Sequence, residues 1–180
     1  MTKNSVEKLS GFYVVTGASS GIGLELAKLA AEDGAALLLV ADRDLGDAKR
    51  VAQQCGATEV ETLEVDLATV DGIDRVIEKI GSRAVDGLMA NAGHGLGEAF
   101  LTQKWDEIAH VIDTNITGTV ALIHRIGGGM VLRDKGRILV TGSIAGDMPG
   151  AYQLVYNSTK AFINDFCVGL ANELKSTSVV

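Results

Sequence analysis

Apolar residues gather in short runs that alternate with segments of helical spacing along nearly the whole chain. Tyr13, Val14 and Val15 form the first run, which breaks at Gly17, and Ile22, Leu26, Leu29 and Ala30 then recur at helical spacing as far as Gly34. That order predicts a strand, a glycine turn and a helix. Ala35 to Ala41 is almost continuously apolar, the pattern of a strand buried on both faces of a parallel sheet. Asp44 to Gly56 has helical character, Glu59 to Val65 alternates as a strand does, and Ile73, Val76, Ile77 and Ile80 mark another amphipathic helix before a short strand over Val85 to Ala90. A long helical region from about Gln103 to Met130 leads to a strand over Arg137 to Thr141, and a last helix runs from about Tyr156 to Lys175. Five strands, each followed by a helix, predict an α/β fold: a doubly wound parallel sheet with helices on both faces. No internal repeat or domain boundary interrupts the pattern, so residues 1–180 read as a single domain.

Composition narrows the class of function. The 180 residues are 47% apolar, enough for one sizeable core. With 16 basic against 23 acidic side chains, the net charge of -7 leaves no cationic excess for a nucleic-acid or anionic membrane partner. No apolar run approaches the roughly 20 residues of a membrane span, and Met1 to Ser10 lacks the apolar core of a secretory signal, so the chain reads as cytoplasmic. Cys55 and Cys167 have no partners at zinc-ligand spacing and read as reduced packing residues. Twenty-two glycines against one proline point to tight turns and close backbone approaches.

The segment Thr16 to Gly23 joins the first strand to the first helix, where free backbone N–H groups and the helix dipole make an anion site. Glycines at 17, 21 and 23 let the chain turn sharply and let a pyrophosphate approach the backbone. No Gly-Lys-Ser/Thr closes a triphosphate loop, and the spacing differs from G-x-G-x-x-G, so this segment leaves the type of dinucleotide fold open. Asp42 ends the second strand about 20 residues past the last glycine, the spacing of a carboxylate that binds adenosine ribose hydroxyls. An acid there favours NAD over NADP, while the neighbouring Arg43 keeps NADP open.

On the last helix, Tyr156 and Lys160 stand one turn apart and share a face. Alone they amount to ordinary surface pairing, but Ser143 lies at the end of the fifth strand, where ligand crevices of parallel sheets open. An ammonium beside a phenol favours the phenolate, which suits proton transfer to or from an alcohol.

Together, Thr16-Gly-x-x-x-Gly-x-Gly23, Asp66-Leu67, Asn91-Ala92-Gly93, Asn115, Ser143 and Tyr156-x-x-x-Lys160 resemble the short-chain dehydrogenases/reductases, in the same order and over nearly the whole chain. The resemblance implies an NAD(P)-dependent oxidoreductase of Rossmann-like fold that moves hydride between nicotinamide and a small alcohol or carbonyl substrate. It implies Tyr156 as general acid or base, Ser143 as holder of the substrate oxygen, Lys160 on the nicotinamide ribose, and Asn115 positioning a water in a proton relay. It implies cofactor binding by Gly17, Ser19, Gly21, Ile22, Gly23, Asp42, Asp66, Leu67, Asn91, Ala92 and Gly93, together with Tyr156 and Lys160, Asp66 bonding the adenine amino group. No metal is implied.

Family members continue past this last helix into further strands and a substrate lid, so the chain resembles a member cut short after its fifth βα unit, its ending Ser178-Val179-Val180 resembling the onset of another strand and its fifth strand an uncovered edge. The competing reading is a noncatalytic dinucleotide-binding or regulatory protein. Two apolar rows on the last helix, Ile163, Cys167, Leu170 and Leu174 beside Phe162, Phe166 and Gly169, predict that one row packs on the sheet and the other joins a homodimer or homotetramer. His94 reads equally as substrate-facing or as a solvated loop residue. His110 and His124 read as helix residues without a ligand role, and Trp105 as a packing or capping residue.

Overall fold

The computed structural model describes residues 8–180, so the N-terminal segment Met1 to Glu7 lies outside the described residues. Strands β1 (Phe12–Thr16), β2 (Ala36–Ala41), β3 (Glu59–Glu64), β4 (Gly87–Ala90) and β5 (Arg137–Val140) form one sheet in the order β3-β2-β1-β4-β5, with every pairing parallel. The order reverses between β1 and β4, and at such a switch point the loops diverge and leave a crevice at the carboxyl ends.

Helices α1 (Gly21–Glu32) and α2 (Gly46–Cys55) cover one face. The other carries α3 (Val70–Ile80), α5 (Thr119–Leu132) and α6 (Leu154–Glu173), with α4 (Trp105–Ile112) packed on α6. Alternation along β1 divides the core: Val14 points with Leu38, Val76, Leu88 and Met130 into one cluster, while Val15 points with Leu37, Leu39, Ala30 and Ala52 into the other. The six residues of β2 are apolar because both faces are covered.

Only part of the expected apolar row on α1 faces inward: Ala30 is buried and Leu26 packs against the core. Ile22 and Leu29 are exposed, and Gly23, Ala27, Ala30 and Ala31 face the sheet. Small residues win there because the helix starts very close to the glycine loop: a Cβ on Gly23 would stand 2.2 Å from the Gly17 carbonyl oxygen. The expected long helix is present but not uniform. It begins at Trp105, widens into a π-helical turn over Asp113–Gly118 and resumes as α5. Periodicity does not reveal that turn, because an added residue shifts the apolar stripe by only part of a turn.

Two further expectations change. On α6, Ile163 is buried and Phe166, Leu170 and Leu174 pack against the core, so Phe166 belongs to the inward row and only Phe162 of the aromatic pair is largely exposed. Trp105 is 72% exposed and caps nothing. The outer edge of β5 is partly paired: Val180 donates its N–H to the Gly136 carbonyl (3.1 Å) and accepts from Ile138 N (2.7 Å). Asp134, with φ of 49°, holds that segment by accepting from the Ser178 N–H and hydroxyl.

Candidate active site

All five strands end at one cavity of about 510 Å³. Gly17, Ser19, Ser20 and Ile22 line it beyond β1, Asp42 and Arg43 beyond β2, and Asp66 and Leu67 beyond β3; Asn91 to His94 follow β4, Thr141 to Ser143 follow β5, and α6 contributes Tyr156 and Lys160. The exposure of Ile22 is thus exposure into this cavity. Gly21, Gly23 and Asn115 are not in its lining. Gly21 makes the turn with φ of 55°, Gly23 permits the close approach to Gly17, and Asn115 is buried behind the wall.

The glycine loop leaves its donors available. Ser20 precedes α1 without a side-chain cap bond, and no acidic residue occupies the first helical turn. The loop is fixed from β4: the buried Thr16 hydroxyl accepts from the N–H groups of Asn91 and Ala92, both at 3.0 Å, and Thr141 Oγ1 donates to Asn91 Oδ1 at 2.9 Å. Gly17 carries φ of 63°, and a Cβ there would reach 2.9 Å from Asn91 Nδ2.

Asp42 and Arg43 pair through two bonds, Nε to Oδ1 at 2.7 Å and Nη2 to Oδ2 at 3.0 Å. The hydrogen bond from the guanidinium holds the Asp42 carboxyl below the usual carboxylate range. Both side chains are about half exposed or more, so the pair adds little to stability and remains free to rearrange around a ligand.

At the other end, Ser143 Oγ accepts from Ala145 N at 3.1 Å, which leaves its hydroxyl hydrogen free to donate into the cavity. Asn164 holds Ser143 from α6, accepting from Ser143 N and donating to its carbonyl at 3.0 Å. Lys160 is only 7% exposed; its Nζ donates to the Thr141 carbonyl at 2.7 Å and stands 5.9 Å from the Tyr156 ring centroid. No carboxylate pairs with it among the described residues, and burial pushes its ammonium below the usual lysine value. A buried cation facing a cavity in this way fits hydroxyl oxygens of a bound ligand.

Asn115, in the π-helical turn, uses its amide as a clamp. Nδ2 donates to the His94 carbonyl (2.9 Å) and Thr159 Oγ1 (3.0 Å), while Oδ1 accepts from His94 N (3.0 Å). Thr159 in turn donates to the Tyr156 carbonyl at 2.8 Å.

Sequence reasoning missed several participants. His110 is not a bland helix residue: it lines the cavity, and its Nε2 lies 3.2 Å from Asp66 Oδ2. Thr114 lines the same wall, and Thr16, Thr159 and Asn164 hold other site residues in place. Spacing held a usable signal, since His110 and Thr114 share one helix face, as do Tyr156, Lys160 and Asn164. Cys167 is half-buried, and burial pushes its thiol up, as suits a packing residue.

Comparison with known proteins defines the class. The sequence profile described as short chain dehydrogenase matches residues 12–180. The chain is 34% identical over 165 residues to 17-beta-hydroxysteroid dehydrogenase type 1 of Homo sapiens, covering 88% of this chain and 50% of that protein. It is 29% identical over 178 residues to very-long-chain 3-oxoacyl-CoA reductase of Laccaria bicolor, covering 96% and 53%. A metagenomic short-chain oxidoreductase crystallised in complex with NADP superposes with a TM-score of 0.89 at 30% identity, over 96% of this chain and 80% of that one. The chain belongs to the short-chain dehydrogenase family. It spans about half the length of the two curated relatives named. Among the described residues no helix is long and apolar enough to cross a membrane.

The state of Lys160 yields a testable consequence. Its folded-state value lies below its unfolded one, so between the two the unfolded chain binds more protons and stability rises with pH. At neutral pH the buried charge therefore costs stability. Lys160→Met is expected to raise the melting temperature of the ligand-free protein at neutral pH, with an advantage that shrinks as pH approaches the ordinary lysine value of about 10.4. Melting curves at stepped pH read this, and a difference that stays flat with pH contradicts it.

Proposed function

We propose that the chain binds NAD or NADP in the strand-end cavity and is an oxidoreductase acting on a small, partly apolar alcohol or carbonyl compound. The carrying observation is that Ser143, Tyr156 and Lys160 border the same cavity as the uncapped glycine loop and Asp42. The donor set fits a dinucleotide: free N–H groups for a pyrophosphate, a carboxylate for ribose hydroxyls, and a buried ammonium without an acidic partner.

When bound, the nicotinamide ring supplies or takes up the hydride. Ser143 donates its free hydroxyl hydrogen to the substrate oxygen and holds it beside Tyr156. In carbonyl reduction Tyr156 gives its phenolic proton to that oxygen; in alcohol oxidation the phenolate takes it back. Lys160 stabilises the negative charge developing on the phenol oxygen. Asn115 fixes the main chain around both, and its Oδ1 retains one lone pair for a relay water. The relatives' names concern a hydroxysteroid and an acyl-CoA, chemically unlike substrates that share a carbonyl or hydroxyl carbon. The apolar side chains of Ile144, Met148 and Leu154 lie between Ser143 and Tyr156 in sequence and are exposed, which favours an apolar substrate flank.

Oxidation of a panel of secondary alcohols with NAD or NADP tests the reading, and Tyr156→Phe is expected to lower turnover roughly 10² to 10⁴-fold with cofactor affinity nearly intact. Normal turnover in that variant removes Tyr156 from the chemistry.

Asp42 supports a preference for NAD, since its carboxylate accepts from ribose hydroxyls and repels a phosphate there. Asp42→Ala frees Arg43 and is expected to narrow or reverse the preference, as read from the affinities of NADH and NADPH. Tighter binding of NADPH by the parent overturns the assignment.

The same reading includes a homodimer or homotetramer. An apolar groove of about 460 Å³ runs between α4 and α6, lined by Trp105, Ile108, Leu154 and Phe162 among others, and a second copy would cover it. Sedimentation at micromolar concentration is expected to show an oligomer that Phe162→Glu dissociates; a monomeric parent sinks the idea.

A further inference from the structure

Ser143 stands beyond the part of β5 that the sheet holds. Thr141 still donates its N–H to the Ala90 carbonyl at 3.1 Å, but Gly142 turns back and donates to the Val140 carbonyl instead. Ser143 then opens a single 3-10 turn, Ile144–Asp147, its carbonyl accepting from Gly146 N at 3.0 Å and its Oγ from Ala145 N at 3.1 Å. Those bonds shape the turn. They do not fix where the turn lies relative to Tyr156.

One side chain of α6 supplies that link. The Asn164 amide nitrogen donates to the Ser143 carbonyl at 3.0 Å and to Asp147 Oδ1 at 3.4 Å, while its oxygen accepts from Ser143 N at 3.5 Å. An amide nitrogen only donates and an amide oxygen only accepts, so these partners set which way the group points. Two glycines let the turn sit directly on the helix. A Cβ on Gly142 would stand 2.6 Å from Asn164 Oδ1, and one on Gly146 would stand 2.6 Å from the Lys160 carbonyl carbon and 2.8 Å from Asn164 Nδ2.

Tyr156, Lys160 and Asn164 follow one another at four-residue steps on α6 and share a face. Lys160 Nζ holds the Thr141 carbonyl at 2.7 Å, and Asn164, one turn further on, holds Ser143 at both main-chain groups. The helix that carries Tyr156 thus grips the segment that carries Ser143 at two points. Asn164 does not itself line the cavity, so any effect it has on a bound substrate passes through Ser143.

We propose that Asn164 is a positioning residue for the reaction: it sets the Ser143 hydroxyl against Tyr156 from within the same helix. This inference rests on the reading of Ser143 as the group that holds the substrate oxygen. Asn164→Ala leaves the Ser143 hydroxyl in place and frees its main chain, and a misplacement of about 1 Å is enough to slow a reaction roughly 100-fold.

A double-mutant cycle on the whole chain tests it, using whichever of cyclohexanol, 2-octanol and 1-phenylethanol the parent oxidises fastest with NAD or NADP. Asn164→Ala is expected to lower kcat roughly 10- to 100-fold, with the affinity for NADH, measured by equilibrium binding, within about twofold of the parent. Added to Ser143→Ala, the same substitution is expected to cost less than about twofold more, because residues that act as one unit are not additive. Gly142→Ala keeps the Asn164 side chain but puts a methyl where its amide oxygen lies, and is expected to show the same signature. Should Asn164→Ala fail to fold, Gly142→Ala completes the cycle. An equal loss of kcat with and without Ser143, or a loss of NADH affinity as large as the loss of kcat, overturns the proposal and leaves the oxidoreductase reading standing. Parent-like turnover in Ser143→Ala, or no turnover of any of the three alcohols by the parent, overturns the reading of Ser143, and this proposal with it.

Discussion

The amide of Asn115 is the point from which the two halves of the site take their positions. It lies 2% exposed in the only π-helical turn among the described residues, and it bonds the loop after β4 on one side and α6 on the other. An ordinary α-helical turn closes its backbone bonds one residue earlier, so the wider turn changes which way residue 115 faces relative to the helix before it. The consequence runs outward through bonds. His94 is held at both backbone groups, and Thr159 passes the constraint to the Tyr156 carbonyl. A buried amide with three of its partners supplied by protein is costly to disturb, because each orphaned partner carries a desolvation penalty of about 1–3 kcal/mol.

Backbone contact, more than side-chain packing, assembles the side of the cavity that carries Asp66. The turn that carries Asp66 and Leu67 is gripped from two directions: a Cβ on Gly72 would lie 1.9 Å from the Asp66 carbonyl oxygen, and one on Gly118 2.3 Å from that of Leu67. Gly72 also donates its N–H to the Thr69 hydroxyl that caps α3. Gly118 ends the π-helical turn. The helix that carries Asn115 and His110 therefore packs directly on the turn that carries Asp66, and the Asp66–His110 contact follows from that approach.

The strand runs and the glycine loop were readable because burial on both faces and a strand-to-helix turn leave local marks in composition and spacing. Most of the motif residues, Gly21, Gly23 and Asn115 excepted, line one cavity, since a parallel sheet puts every strand end on the same side. The inward side of α1 is only partly readable: Ala30 is buried as its spacing predicts, but although Ile22 and Leu29 carry more apolar surface than Ala27 and Ala31, close approach to the sheet selects the alanines. Phe166 was misplaced for a related reason, because a wide inward stripe on α6 takes in a residue that a single row leaves out. His110 reads as a plain helix residue in the sequence because its contact with Asp66 spans 44 positions.

The Ser143–Tyr156 side of the cavity is built on a different principle from the glycine-loop side. Two non-glycine residues outside the C-terminal clasp adopt left-handed backbone, Glu98 with φ of 85° and Tyr152 with φ of 62°, and each sits in a loop leading from the site. Those loops meet: a Cβ on Gly95 would stand 3.3 Å from Gln153 Oε1 and 3.4 Å from the Tyr156 ring, and Gln103 Nε2 donates to the carbonyls of Gly97 and Glu98. Backbone in that region costs on the order of 1–3 kcal/mol per residue and persists only where surrounding contacts over-determine it. The bonds of Gln103 supply such contacts to one loop, and the Asn157 bond to the Met148 carbonyl ties the start of the other to α6. Glycines thus bring main-chain segments against one another on one side, whereas strained, tethered loops carrying exposed apolar side chains border the other.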